Sequence, residues 1–140
     1  MKESKPMVLI IDDDPGVLFL HKIIVIESNL NSTPSTFIEA EKALEFIIPL
    51  DIASSRILIF LDINMPKING WKFLEMLIDK IKHADIKVVM VTSSLSRTER
   101  EKSKEYELVI DFWEKPMDEN QISHLKENLG PWLEEEWESD

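Results

Sequence analysis

The sequence predicts an α/β fold, a doubly wound five-stranded parallel sheet with helices on both faces. Short β-branched runs that are apolar on both faces recur along the chain, as buried parallel strands require. Stretches with apolar residues at helical spacing separate them. Strand and helix alternate throughout, and that order implies right-handed crossovers and a parallel sheet.

Each element has its own justification. Met7 to Asp12 is a buried strand ended by acids. Asp14-Pro15 starts a helix, because Asp14 can cap and Pro15 suits the first turn; the helix runs to Glu27. Asn29 to Thr33 is turn chemistry, and Ser35 to Phe37 is a short strand. Glu39 to Ile48 is a second helix, stopped near Pro49. Arg56 to Leu61 is the strongest strand, and Pro66 to Gly70 is a loop. Trp71 to Lys82 is helical, with Trp71, Leu74, Leu77, Ile78 and Ile81 spaced on one face. Lys87 to Val91 is the fourth strand, and the very polar Arg97 to Tyr106 is an exposed helix or a mobile one. Leu108 to Phe112 is the fifth strand, and Asp118 to Leu129 the fifth helix.

Composition narrows the function. The 140 residues suit one domain, expected over 1–129, with an acidic tail over 130–140. Sixteen bases against 27 acids leave a net charge of −11, which disfavours non-specific binding to nucleic acid or anionic membrane. From Met117 onward there are eight acids and one base, so the end reads as a solvated helix terminus and an acidic extension. With no cysteine, disulfides, zinc-thiolate sites and thiol nucleophiles are excluded. No apolar run approaches the ~20 residues of a membrane span. Before the three acids only Val8 to Ile11 is continuously apolar, which is not a signal peptide. The expected location is the cytoplasm.

In open parallel sheets, ligands bind at the carboxyl ends of the strands. Those ends carry Asp12-Asp13-Asp14, then Asp62, then Thr92-Ser93-Ser94, then Lys115-Pro116. Carboxylates gathered at one edge repel and need positive charge. Lys115 supplies one; a hard divalent cation such as Mg²⁺, which takes one or two carboxylates, waters and a phosphoryl oxygen, supplies the rest. A hydroxyl and an ammonium beside it suit a transferring phosphoryl group.

These motifs resemble the response-regulator receiver domain of two-component signalling. The resemblance rests on Asp12-Asp13 after VLII, on Asp62-Ile-Asn64-Met65-Pro66 with Gly70, on Thr92 after VVMV, and on Lys115-Pro116, across about residues 7 to 128. It implies a flavodoxin-like strand order 2-1-3-4-5. Asp62 would be the phosphoacceptor, served by a sensor histidine kinase or a histidine phosphotransfer protein. Asp12, Asp13, Asp62 and the Asn64 backbone carbonyl would hold Mg²⁺ or Mn²⁺. Thr92 and Lys115 would contact the phosphoryl group, and Phe112 would be the switch aromatic. Met65, Pro66 and Gly70 would shape the loop, and Pro116 would be the cis proline. Beyond self-assisted phosphotransfer and autodephosphorylation, no enzymatic activity is implied.

The sequence departs from the family pattern in three places. Ser93 follows Thr92, Phe112 stands where tyrosine is commoner, and Met117 follows Pro116 where an aromatic is frequent. Without a hydroxyl, Phe112 buries at no polar cost, so an inward ring is expected for much of the time even without phosphate. Only eleven residues follow Leu129, with no helix-turn-helix or basic stretch. The expectation is therefore signalling to a downstream protein through the fourth helix, fifth strand and fifth helix, without direct DNA binding. His21, His83 and His124 read as surface or packing residues, and Trp71 as a helix anchor. Trp113 alternates away from Phe112.

Two other readings fit part of the pattern. Asp12-x-Asp14 matches the first motif of a haloacid-dehalogenase-like phosphatase, with Asp12 as nucleophile, but leaves Asp62-x-x-Met65-Pro66 unexplained and lacks a closing acidic motif. A receiver-like interaction module that takes no phosphate would not need the full set of Asp12, Asp13, Asp62, Thr92 and Lys115.

Overall fold

A computed structural model describes residues 2–93, 96–134 and 136–138, with side chains over 5–93 and 96–134. The strands are β1 Lys2–Ser4, β2 Met7–Ile11, β3 Ser35–Phe37, β4 Arg56–Asp62, β5 Asp85–Thr92, β6 Val109–Glu114 and β7 Glu136–Glu138. The helices are α1 Pro15–Glu27, α2 Ala40–Ile47, α3 Gly70–Lys80, α4 Arg97–Ser103 and α5 Glu119–Leu129. Five strands form a parallel sheet in the order β3-β2-β4-β5-β6, which is 2-1-3-4-5 counted within the sheet. The expected doubly wound topology is what the chain adopts.

The apolar strands are explained by the two layers that cover them. Leu9, Ile59, Leu61 and Met90 point to the face covered by α2 and α3, where they meet Leu44, Phe73 and Leu74. Ile10, Phe60 and Val91 point to the opposite face, where α1 and α5 bring Leu18, Val25, Ile122 and Leu125. Every residue of β4 is buried, as its central position requires. Burying one such side chain stabilises by roughly 1.5–3 kcal/mol, so the register is strongly held. Trp113 belongs to the α1/α5 layer, with its ring 5.7 Å from Phe60.

Element ends shift for local reasons. Asp14 caps α1 by accepting from the amides of Gly16 (2.9 Å) and Val17 (3.2 Å), so the helix begins at Pro15. Pro49 converts the end of α2 into a 3₁₀ turn over Ile48–Leu50. The Asp51 carboxylate accepts the amides of Lys82, His83 and Ala84, so α3 stops at Lys80 and β5 begins early, at Asp85. Helix α4 ends at Ser103, short of the expected Tyr106. Tyr106 instead stacks on Trp71 at 5.7 Å. β6 runs on to Glu114, with a register shift opposite Val88/Val89.

Part of the acidic tail is tied to the domain. Gly130–Leu133 forms a 3₁₀ turn, and Trp132 and Leu133 pack against the α1/α5 layer. Arg56 donates to the carbonyls of Trp132 and Glu134, and the Trp132 indole donates to Asp85 at 2.8 Å. β7 pairs antiparallel with β1. Acid counting misses this because Arg56 and Trp132 lie 76 residues apart in sequence. Ser94, Glu135 and Asp140 lie outside the described residues, as do the side chains of 136–138. No helix among the described residues is long and apolar enough to cross a membrane.

Candidate functional site

The carboxyl ends of β2, β4, β5 and β6 meet at one edge of the sheet. Asp12 follows β2, and its amide donates to the Phe37 carbonyl at 3.0 Å. The Asp12 carboxylate accepts the Asp14 amide at 2.9 Å and the Lys115 ammonium at 2.7 Å. Asp62 is the last residue of β4, and the same ammonium reaches it at 3.1 Å. Lys115 is placed by its own backbone, whose amide donates to the Thr92 carbonyl at 2.7 Å. Asp12, Asp13 and Asp62 each bring a carboxylate oxygen into one group, all within 4.8 Å of one another. Asp12 and Asp62 are buried, and Asp13 is exposed.

The electrostatics are those of an under-compensated acid cluster. Burial pushes the Asp62 carboxyl up to about 6, and the Asp12 charge pushes the same way. The Lys115 charge and hydrogen bond oppose the shift without cancelling it. Burial pulls the Lys115 ammonium down, but its hydrogen bond to Asp12 and the charges of Asp12 and Asp62 leave its pKa raised. One ammonium against three carboxylates leaves two negative charges. That donor set, all oxygen and open on the Asp13 side, fits a hard divalent cation.

The loop after β4 shows why Gly70 stands where it does. The Gly70 amide donates to the Ile63 carbonyl at 2.8 Å, folding the loop back on the end of β4. A Cβ at Gly70 would lie 2.6 Å from the Asp62 carbonyl oxygen, closer than real Cβ atoms come. Met65 is buried in the α2/α3 layer, while Asn64 and Pro66 are exposed. Asn64, Asp13, Asp62, Ser93, Lys115 and Pro116 share the walls of one open cleft. Thr92 is fully buried at the end of β5. Phe112 is buried, with the Arg100 guanidinium 5.5 Å from its ring centroid. The Lys115–Pro116 peptide bond is cis.

Two neighbours of the site escape the motif reading. His21 is 1% exposed, and its Nε2 accepts the Met117 amide at 3.2 Å. Burial holds its pKa below the usual imidazole value; the Asp12 charge works against this and the Lys115 charge with it. Leu18, His21 and Val25 are the buried positions of α1, so helical spacing marks His21 as inward-facing. Nothing in the sequence marks Met117 as its partner.

A doubly wound sheet with an acid cluster and one lysine at its carboxyl edge defines the class. The chain belongs to the response regulator receiver domain family, whose model matches residues 8–126. Solved structures share the fold. A two-component response regulator from Cytophaga hutchinsonii is 24% identical, with a TM-score of 0.77 over 90% of this chain and 97% of that one. A response regulator receiver protein from Dyadobacter fermentans DSM 18053 is 28% identical, with a TM-score of 0.71 over 89% and 95%. A receiver domain protein described as CheY-like, from Methanospirillum hungatei JF-1, is 21% identical, with a TM-score of 0.66 over 93% and 98%. No curated protein matches the chain.

Proposed function

We propose that this domain takes a phosphoryl group onto Asp62 from the phosphohistidine of a sensor histidine kinase or histidine phosphotransfer protein. The observation that carries this is the cluster of Asp12, Asp13 and Asp62 with Lys115 bridging two of its members. An Asp62 carboxylate oxygen attacks phosphorus, the phosphorus–nitrogen bond breaks, and its electron pair returns to the donor imidazole. Asp12, Asp13, Asp62 and the Asn64 carbonyl would hold Mg²⁺ or Mn²⁺, which would neutralise charge on the transferring group. Lys115 and the Thr92 hydroxyl donate to the phosphoryl oxygens. Asp14, which would be the acid/base in a haloacid-dehalogenase-like enzyme, instead uses its carboxylate to cap α1.

The signal leaves through Phe112. When Thr92 and Lys115 close on the phosphoryl group, the ring is held inward, and a population already present is enlarged. The face of α4, β6 and α5 then meets a downstream protein. The protein works in the cytoplasm, beside its phosphodonor, and its net charge of −11 argues against direct DNA binding.

Acetyl phosphate with Mg²⁺ tests the acceptor. Label is expected on Asp62, lost in Asp62→Asn and lost with chelator. Label on Asp12, on another residue of the Asn variant, or on nothing at all overturns the assignment.

A further inference from the structure

His83 and His124 are exposed, whereas His21 is buried at the edge of the site. An acceptor nitrogen needs a free lone pair, so the Met117 hydrogen bond requires a neutral imidazole with its proton on Nδ1. The Met117 residue is itself only 1% exposed, so water is a poor substitute partner for its amide.

The chain from Lys115 to Met117 is thereby hung at both ends. The Lys115 amide donates to the Thr92 carbonyl at 2.7 Å, and the Met117 amide donates to His21 at 3.2 Å. Between them stands Pro116, which has no N–H. The ammonium of Lys115 must meet Asp12 at 2.7 Å and Asp62 at 3.1 Å from this short, doubly tethered backbone.

We propose that His21 is a positioning residue for Lys115: by accepting the Met117 amide, the imidazole on α1 sets the backbone from which Lys115 reaches Asp62. This rests on the phosphoacceptor reading above. His21 does not touch the phosphoryl group; it acts through the lysine. Its identity matters for the acceptor it offers at that distance, beyond the volume it fills.

The test uses two substitutions and a second background. His21→Leu fills much of the space without an acceptor, and His21→Gln offers an amide oxygen near the place of Nε2. The initial rate of Asp62 phosphorylation by acetyl phosphate with Mg²⁺ is measured alongside the melting temperature. His21→Leu should slow labelling by about tenfold, and His21→Gln should restore it to within about threefold of wild type, since a misplaced group of this kind carries such penalties. In a Lys115→Ala background, His21→Leu should cause no further slowing. Should His21→Leu not fold, His21→Asn, one methylene too short to reach, takes its place against His21→Gln. A labelling rate unchanged in the acceptor-less variant overturns the inference, as does an equal slowing with and without Lys115. A wild-type domain that takes no label overturns the phosphoacceptor reading and the inference with it.

Discussion

At the scale of single residues, backbone contact decides as much as charge. Gly70 makes no chemical contribution, yet any side chain there would drive into the Asp62 carbonyl at 2.6 Å. The obstructing atoms are backbone, so a small rotamer change cannot relieve the clash. Gly70→Ala should therefore destabilise by about 1–3 kcal/mol, the usual range for forced overpacking, and should shift the end of β4. Urea denaturation measures the first effect and Asp62 labelling the second. A variant with wild-type midpoint and labelling rate would show that the loop has slack. The residues that meet at the sheet edge were legible in the sequence because each stands at a strand end: Asp12, Asp62, Thr92 and Lys115. His21 was not, because its partner is a backbone amide 96 residues away.

Among the elements, α4 stands apart. It has seven residues, and of these only Ser103 is buried. Helix α3, by contrast, buries four side chains, Trp71, Phe73, Leu74 and Leu77. A helix this short has little intrinsic stability and depends on its contacts. Its contacts include the Ser96 cap on the Glu99 amide at 3.3 Å, Lys102 over Trp71 at 4.9 Å and Arg100 over Phe112 at 5.5 Å. The Arg100 contact ties α4 to Phe112, the proposed switch aromatic. We expect amides of 99–104 to exchange faster than those of α3 and α5, and their protection to change when beryllofluoride occupies Asp62. Hydrogen exchange followed by NMR reads both. Protection equal to that of α3, unaltered by beryllofluoride, would remove α4 from the signalling path. The polar composition of this segment already pointed to an exposed or mobile helix. Its early end was hidden, because the stacking of Tyr106 on Trp71 joins segments distant in sequence.

For the whole molecule, the acid cluster links stability to pH and to metal. Asp62 titrates at about 6 in the fold against 3.8 as its ordinary value. A carboxyl whose pKa is raised on folding binds its proton more tightly when folded, so ionising it costs stability. That cost is absent below 3.8, grows between 3.8 and about 6, and is complete above. A divalent cation bound at the cluster would relieve it where Asp62 is charged. Mg²⁺ at a hundredfold excess over its dissociation constant should stabilise the domain by about 2.7 kcal/mol near neutral pH. The gain should shrink as pH falls through about 6, where Asp62 takes up a proton instead. Thermal melts with Mg²⁺ and with chelator, across that range, check it. A melting temperature indifferent to Mg²⁺ at neutral pH would count against the cluster as a metal site.

What the sequence determined by itself was the alternation of strands and helices and the residues at the strand ends. Both are local: a doubly covered parallel strand must be apolar on both faces, and it stops where charge begins. Helix starts were legible for the same reason, since Asp14 and Asp118 cap from within their own segments. Only the tertiary structure decided where Trp113 packs, that Trp132 and Arg56 tie down residues 130–134, and that His21 meets Met117. Each of these joins groups far apart in the chain. Local propensity carries no record of such pairings, which arise only when burial brings the segments together and leaves their polar groups to satisfy one another.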